Sequence, residues 1–269
     1  KAWYESNFIM SVAFDDNVSI TCEIAFDSEP FDEVQNFTDI SQYVRSFSTS
    51  RGRSNELADF VSGTLSVSLS NTDNRFNPTQ TTYYYDSANA TTKIQPLKRI
   101  RVRAIYDSIT YDIFEGFLST IPVKFVAGGV DSIVTFTAND AFKIFQSAQL
   151  DAVGWRLGKA GFGELGETTT LNYEDEQELS SDRINRILNV FGYPTNRRDI
   201  QTGTNQVQSQ QVTDNVLSAL RENEVAENAQ LFIGKDGKVI FRNRQYRLSN
   251  ANTTTVQATF SNTGSDLPY

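Results

Sequence analysis

Residues 63–69 read Gly-Thr-Leu-Ser-Val-Ser-Leu, and this strict alternation of small polar with apolar side chains constrains the fold more than any other feature of the chain. Successive side chains of a strand point to opposite faces, so Leu65, Val67 and Leu69 share one face while Thr64, Ser66 and Ser68 share the other. One face is buried and the other is wet, a pattern that the 3.6-residue repeat of a helix cannot produce. Asn71-Thr72-Asp73-Asn74 and Asn77-Pro78 then stop the run, because Asx side chains and a fixed proline φ favour turns over continued pairing. Similar short runs recur at Val18 to Phe26, Tyr43 to Ser50, Ile100 to Tyr106, Ile113 to Ile121 and Ser132 to Ala138. Strands of this length at such spacing predict a barrel or sandwich. Gly128-Gly129 reads as a hairpin connection, and Asn139 as the cap of a short helix through Ala141 to Phe145.

After residue 150 the period becomes that of helices. Ile184, Ile187, Leu188 and Phe191 fall at i, i+3, i+4 and i+7, a buried stripe on a helix over Ser181 to Phe191. Ser180 or Ser181 caps its start, and Gly192 with Pro194 ends it. A second helix is expected over Thr213 to Glu224, with Val216, Leu217 and Leu220 inward. A hairpin follows, in which Gln230 to Ile233 pairs with Lys238 to Arg242 across Gly234-Lys235-Asp236-Gly237.

The chain contains no histidine and a single cysteine, Cys22. A Ser-His-Asp triad, a His-bearing zinc site and a cysteine-rich metal site are therefore excluded. Cys22 reads as a small buried apolar residue. An enzyme would have to work through carboxylates or an activated lysine, and the sequence nominates no pair of acids. No apolar run approaches the roughly 18 to 20 residues that cross a bilayer, and no charged and apolar leader opens the chain, so neither stable membrane insertion nor export by signal peptide is expected.

The net charge is −9, of which −7 comes from Glu164, Glu167, Glu174, Asp175, Glu176, Glu178 and Asp182, a segment without Lys or Arg. General nucleic-acid binding is disfavoured. The segment reads as a solvated loop running into a helix; a Ca²⁺ site or a face turned to a basic partner is the other reading, although the calcium-loop rhythm is missing. Gly161-Phe162-Gly163-Glu164-Leu165-Gly166 has G-x-G-x-x-G spacing, but no strand precedes it and Glu164 and Glu167 would repel phosphate, so it reads as a connector.

Arg99, Arg101 and Arg103 alternate with Ile100, Val102 and Ala104, which sets three guanidinium groups on one strand face. They form either a solvated face or a contact in which arginine forks meet a neighbour's carboxylates. Tyr83-Tyr84-Tyr85 serves equally an interface or a partly buried loop.

Several words of the sequence together resemble the hub, or minor tail, proteins at the tail tip of long-tailed, non-contractile bacteriophages. They are Asp39, Ile40, Tyr43, Val44 and Arg45; Arg51-Gly52-Arg53; Gly63, Thr64, Val67 and Leu69; and Asp73, Arg75, Phe76 and Pro78. The likeness continues at Pro96 to Ala104, Phe114-Glu115-Gly116-Phe117, Asp140-Ala141-Phe142, Leu231 to Arg242, and Ser265 to Tyr269. It is weakest between Asp151 and Leu179.

The resemblance implies a mainly β protein with an α+β part: a tail-tube-like β-barrel over 1–150, a smaller helix-helix-hairpin domain over 151–248, and over 249–269 the start of a second barrel that is incomplete here. It implies a homo-oligomeric ring, usually a trimer, in the virion tail tip, made in the bacterial cytoplasm. Its partners would be the distal tail protein, the tail tube and the tip or fibre proteins. Its work would be mechanical, with no catalytic residue, cofactor or metal. Arg51, Arg53, Arg99, Arg101 and Arg103 are the candidate assembly residues. A β-rich carbohydrate- or receptor-binding module using Trp155 or Tyr84 is the alternative, and a carboxylate-based glycan hydrolase the third reading.

Overall fold

The computed structural model describes residues 18–55, 58–121, 123–124, 132–149, 156–157, 177–208, 210–211, 215–249 and 255–256. Its first part is built on six principal strands: β1 (Val18–Ile24), β2 (Val44–Gly52), β3 (Val61–Ser70), β4 (Arg99–Tyr106), β5 (Ile109–Thr120) and β6 (Ile133–Asn139). All lie in one antiparallel sheet in the order Thr38–Asp39, β1, β4, β5, β6, β3, β2, with Val123–Lys124 beside β6. The strands expected from alternation are therefore present, each within a few residues of its expected ends. Phe47 stands opposite Val67, and Val67 opposite Phe136, so a single row of core side chains crosses three strands. Cys22, Ile24, Leu65, Leu69, Phe76, Ile100, Val102, Phe114 and Val134 complete this core. Burying each of the larger side chains contributes about 1.5–3 kcal/mol.

The sheet departs from the closed barrel of the sequence reading. Among the described residues no ladder joins its two edges, Thr38–Asp39 and β2. Only a 3-10 turn, Ser41–Tyr43, carries the chain from one edge to the other. That turn is pinned by Ile40, fully buried, and by Cys22 N–H donating to Ser41 Oγ at 2.9 Å. The sheet thus wraps round its core and is bridged at one corner by the chain itself.

The second part comprises α1 (Ala141–Ser147), α2 (Ser180–Phe191), β7 (Arg198–Ile200), α3 (Val216–Glu227), β8 (Gln230–Ile233) and β9 (Val239–Arg242). The β8–β9 hairpin gains a third strand that the sequence does not announce, since β7 runs parallel to β9. Ile184, Ile187 and Leu188 are buried as the stripe requires, against Phe145, Tyr193, Val216, Leu220, Leu231, Val239 and Phe241. Phe117, from β5, and Ala141 and Phe142, from α1, belong to the same cluster, so the second core draws on residues from both sides of residue 150.

The helix ends show which expected caps hold. Gly192 closes α2 with φ of 79°, and Asn228 closes α3 with φ of 51° after the helix has run three residues past its expected end at Glu224. At α1 the cap is Asp140, whose side chain accepts from Phe142 N–H; Asn139 is still the last residue of β6. Neither Ser180 nor Ser181 caps α2: both lie inside the helix, Leu179 holds the cap position, and the Ser180 hydroxyl donates to Glu227. In the hairpin loop Gly237 takes a positive φ and Gly234 does not.

Candidate functional site

Where the sheet meets the α+β part, charged residues are buried in a compact joint. Arg99, at the start of β4, is 1% exposed, although arginine is rarely buried unless paired. Its Nη1 donates to Glu115 Oε1 at 3.0 Å, its Nε donates to the Pro30 carbonyl at 2.8 Å, and its guanidinium lies 4.7 Å from the centroid of the Phe117 ring. Arg197, in the turn before β7, donates to the same Glu115 oxygen at 2.7 Å. A buried carboxylate costs several kcal/mol of hydration, of order 3–5 kcal/mol when left unpaired, and here two cations offset that cost for one anion.

The backbone of the hairpin loop closes over this pair. Gly237 has φ of +75°, and a Cβ on it would stand 3.1 Å from Glu115 Cβ. Tyr193 OH donates to the Gly237 carbonyl at 3.0 Å, and burial raises the pKa of this phenol, which keeps it a donor. Arg51, from β2, donates to the Ile233 carbonyl of β8 at 2.9 Å, a second tie between sheet and hairpin.

Asp140 makes a third. It accepts from Gly63 N–H at 2.6 Å, Ser62 Oγ at 2.8 Å and Phe142 N–H at 3.0 Å, so a single carboxylate holds the start of β3 and the start of α1. Burial raises its pKa, and the bonds from Gly63, Ser62 and Phe142 only partly oppose that. Gly116 is needed alongside, because a Cβ there would lie 2.5 Å from the Asn139 carbonyl oxygen.

The five candidate arginines are not gathered at one place. Arg99 and Arg51 point to the joint. Arg101 and Arg103 both reach Glu23 across the strand pair, with Arg101 Nε at 2.8 Å and Arg101 stacked 3.7 Å from the Phe37 ring centroid. Burial would raise the Glu23 pKa, but bonds from Arg101 and Arg103 outweigh it and hold the carboxyl below its usual range. Both arginines keep about a quarter of their side chains exposed, 24% and 26%. Arg53 stacks over Phe60, which itself stacks on Phe232.

Glu115, Glu23, Arg197, Asp140 and Gly237 were not singled out as site residues by the sequence reading. One signal was available, since Glu115 interrupts the otherwise apolar Phe114 to Leu118, and a charge within a buried strand demands a partner.

Other candidates resolve differently. Glu178 corrects the solvated reading of the acidic segment: it is 5% exposed and accepts from Arg183 at 3.0 Å and Arg186 at 2.6 Å. The rest of that run up to Glu176, the glycine motif at 161–166, Gly128-Gly129 and Trp155 lie outside the described residues. Tyr84 stacks on Phe26 and Phe76 and packs against the first core. Tyr43 and Phe76 meet edge to face, and Arg75 stacks on Tyr43 while pairing with Asp73. Cys22 is buried, and burial, with Asp39 and Glu23 beside it, pushes its thiol pKa up, away from nucleophilic use. Among the described residues no three His, Cys, Asp or Glu side chains are grouped to hold a metal ion.

The fold and its site define a mainly β protein whose sheet is fastened to an α+β unit by a buried ionic joint. No protein-family profile matches the chain, and no curated protein matches it. Among solved structures it is similar to the 43 kDa tail protein of prophage MuSo2 from Shewanella oneidensis, at 10% identity and a TM-score of 0.47, over 83% of this chain and 53% of that one. It is also similar to the tail protein from Neisseria meningitidis MC58, at 5% identity and a TM-score of 0.44, over 84% of this chain and 50% of that one. The third is the Francisella PdpA–VgrG complex in its half-lidded form, at 9% identity and a TM-score of 0.45, over 94% of this chain and 35% of that one. The chain spans about half the length of the first two and about a third of the last.

Proposed function

We propose that this protein is a structural component of a bacteriophage-type tail, and within it a hub at the tail tip that joins the tail tube and distal tail protein to the central fibre or tip and helps to close the genome channel. One observation carries the reading: words of the tail-hub resemblance, dispersed from Arg51 to Gly237 in sequence, converge in space on the joint. Arg51 bonds the Ile233 carbonyl, Gly63 bonds Asp140, Arg99 bonds Glu115, and Gly237 seats on Glu115. Several of the residues that carry the resemblance thus fasten sheet to α+β unit, which suits a part that transmits force and performs no chemistry.

In this reading residues 1–150 form the tube-like unit, closed into a barrel in the assembly, 151–248 the intervening unit, and 249–269 the approach to a second barrel. The working form is a trimeric ring in the virion, with no catalytic role. Arg51, Arg53, Arg99, Arg101 and Arg103 serve its construction, Arg99 from inside and Arg101 and Arg103 from the surface.

Electron-microscopy class averages of the intact assembly test this. Three copies arranged coaxially beneath a sixfold tube are expected, and charge reversal at Arg101 should reduce ring formation. Isolated monomers along a fibre would sink the reading.

A further inference from the structure

We propose that the protein associates with copies of itself head to tail, the tip of the β4–β5 hairpin of one copy docking in an apolar groove at the opposite end of the same hairpin in the next. The proposal stands on these two surfaces and not on the tail assignment.

The tip is a two-residue turn, Asp107-Ser108, with φ of 48° and 65°, the geometry that lets a tight hairpin follow the twist of its strands. Tyr106 pairs directly with Ile109, and Tyr111 lies two residues further on the same face. This is the core-side face of β4 and β5 continued past the end of the core, for Val102 and Ala104 lead up to it at the same alternation. Tyr106 is 50% exposed, Ile109 54% and Tyr111 43%. Large apolar side chains gathered at a protruding tip mark an interaction surface more strongly than the same residues scattered singly. Asp107, exposed, flanks them.

The groove has a volume of about 420 Å³ between the chain before β4, the end of β5 and α1. Leu118, Phe117, Ile144 and Ala148 form its apolar wall, and Leu97 its lip. Leu97 is 45% exposed and held at φ of +68°, a conformation that L side chains other than Asn and Asp rarely adopt. Its backbone is fixed there by N–H donation to the Leu118 carbonyl at 2.7 Å, so a leucine is presented to solvent at conformational cost. Among the described residues the one charge lining the groove is Lys143, exposed on α1.

An apolar tip with a carboxylate thus matches an apolar groove with an ammonium group, and both belong to this chain. They lie at the two ends of β4, eight residues long, about 25 Å apart at about 3.3 Å per residue. One copy cannot satisfy its own groove over that distance. A second copy can, through a heterologous contact that closes into a ring if its rotation permits.

Sedimentation velocity over a concentration range tests the proposal. The wild type should gain mass with concentration. Ile109→Asp at the tip and Leu97→Asp in the groove should each weaken self-association at least tenfold. Mixing these two variants is decisive, because the intact groove of one faces the intact tip of the other: a two-chain species should form that neither gives alone. Both positions are exposed, and far-UV circular dichroism checks the fold; should either variant lose its spectrum, Asp107→Lys mixed with Lys143→Glu replaces the pair. A wild type that stays monomeric throughout, variants that associate as the wild type does, or a mixture without the two-chain species would each overturn it.

Discussion

Gly237 rests directly on the side chain of Glu115, and a Cβ at that position would stand 3.1–3.2 Å from three of its carbons. A hairpin loop near one end of the sequence is thus shaped to lie on a carboxylate set in the middle of a distant strand. Two requirements meet at one residue, positive φ and the absence of a side chain.

Gly237→Ala should therefore destabilise the protein by about 1–2 kcal/mol from the left-handed backbone alone, with further loss from crowding Glu115. Urea denaturation with an unchanged m-value and a lower midpoint would confirm it; an unchanged midpoint would show that the loop has an alternative seat.

Glu115→Ala removes the anion shared by Arg99 and Arg197 and leaves Arg99 buried without a countercharge. Loss of one partner of a buried pair costs about 3–5 kcal/mol, so this change should be among the most damaging available. Arg197→Ala should cost less, because Arg99 still pairs with Glu115. Equal losses in the two variants, measured by thermal and chemical unfolding, would contradict the ordering.

Asp140→Ala orphans the Gly63 and Phe142 amides together and should cost about 1–3 kcal/mol. Asp140→Asn sets its amide nitrogen against one of the two backbone donors but keeps an acceptor oxygen for the other and removes a charge that burial disfavours, so it should be the milder change. The comparison of the two midpoints checks which property of the carboxylate matters.

Glu227 gives a pH dependence. Burial would raise its pKa, but bonds from Thr204, Asn205 and Ser180 outweigh that and lower it below the ordinary 4.5. A carboxyl whose folded pKa is depressed contributes stability that is present above the unfolded value and is lost as pH falls through the folded one. Unfolding measured between pH 7 and pH 3 should thus show a steeper acid loss in the wild type than in Glu227→Gln. The variant should also be weaker at pH 7, where an amide nitrogen would face backbone donors at Thr204 and Asn205. Parallel pH profiles would rule out this role.

Alternation and helical periodicity located the strands and the α2 stripe because those patterns are local: Leu65, Val67 and Leu69, or Ile184, Ile187 and Leu188, declare their face without knowing what covers it. Partners over long separations were not legible in the same way. The row of Arg99, Arg101 and Arg103 looks uniform in sequence, yet Arg99 finds Glu115 and Pro30 while the other two find Glu23. From sequence Asn139 reads as the α1 cap, and the ladder corrects this by one residue, since β6 ends at Asn139 and Asp140 caps the helix. Closure of the sheet was equally out of reach, because strand spacing fixes how many strands there are and not how their edges meet.

The joint is written across the chain, from Arg51 through Arg99, Glu115 and Asp140 to Arg197 and Gly237, so it cannot exist until almost all of these residues have left the ribosome. A nascent chain can pair its first strands early, but the Arg99–Glu115 pair waits uncovered for a loop translated more than a hundred codons later. Loop-closure entropy over that span makes this step slower than the local pairing before it. The later-made hairpin therefore acts as a seal on the earlier-made sheet, and damage at Gly237 should surface first as poor yield of soluble protein.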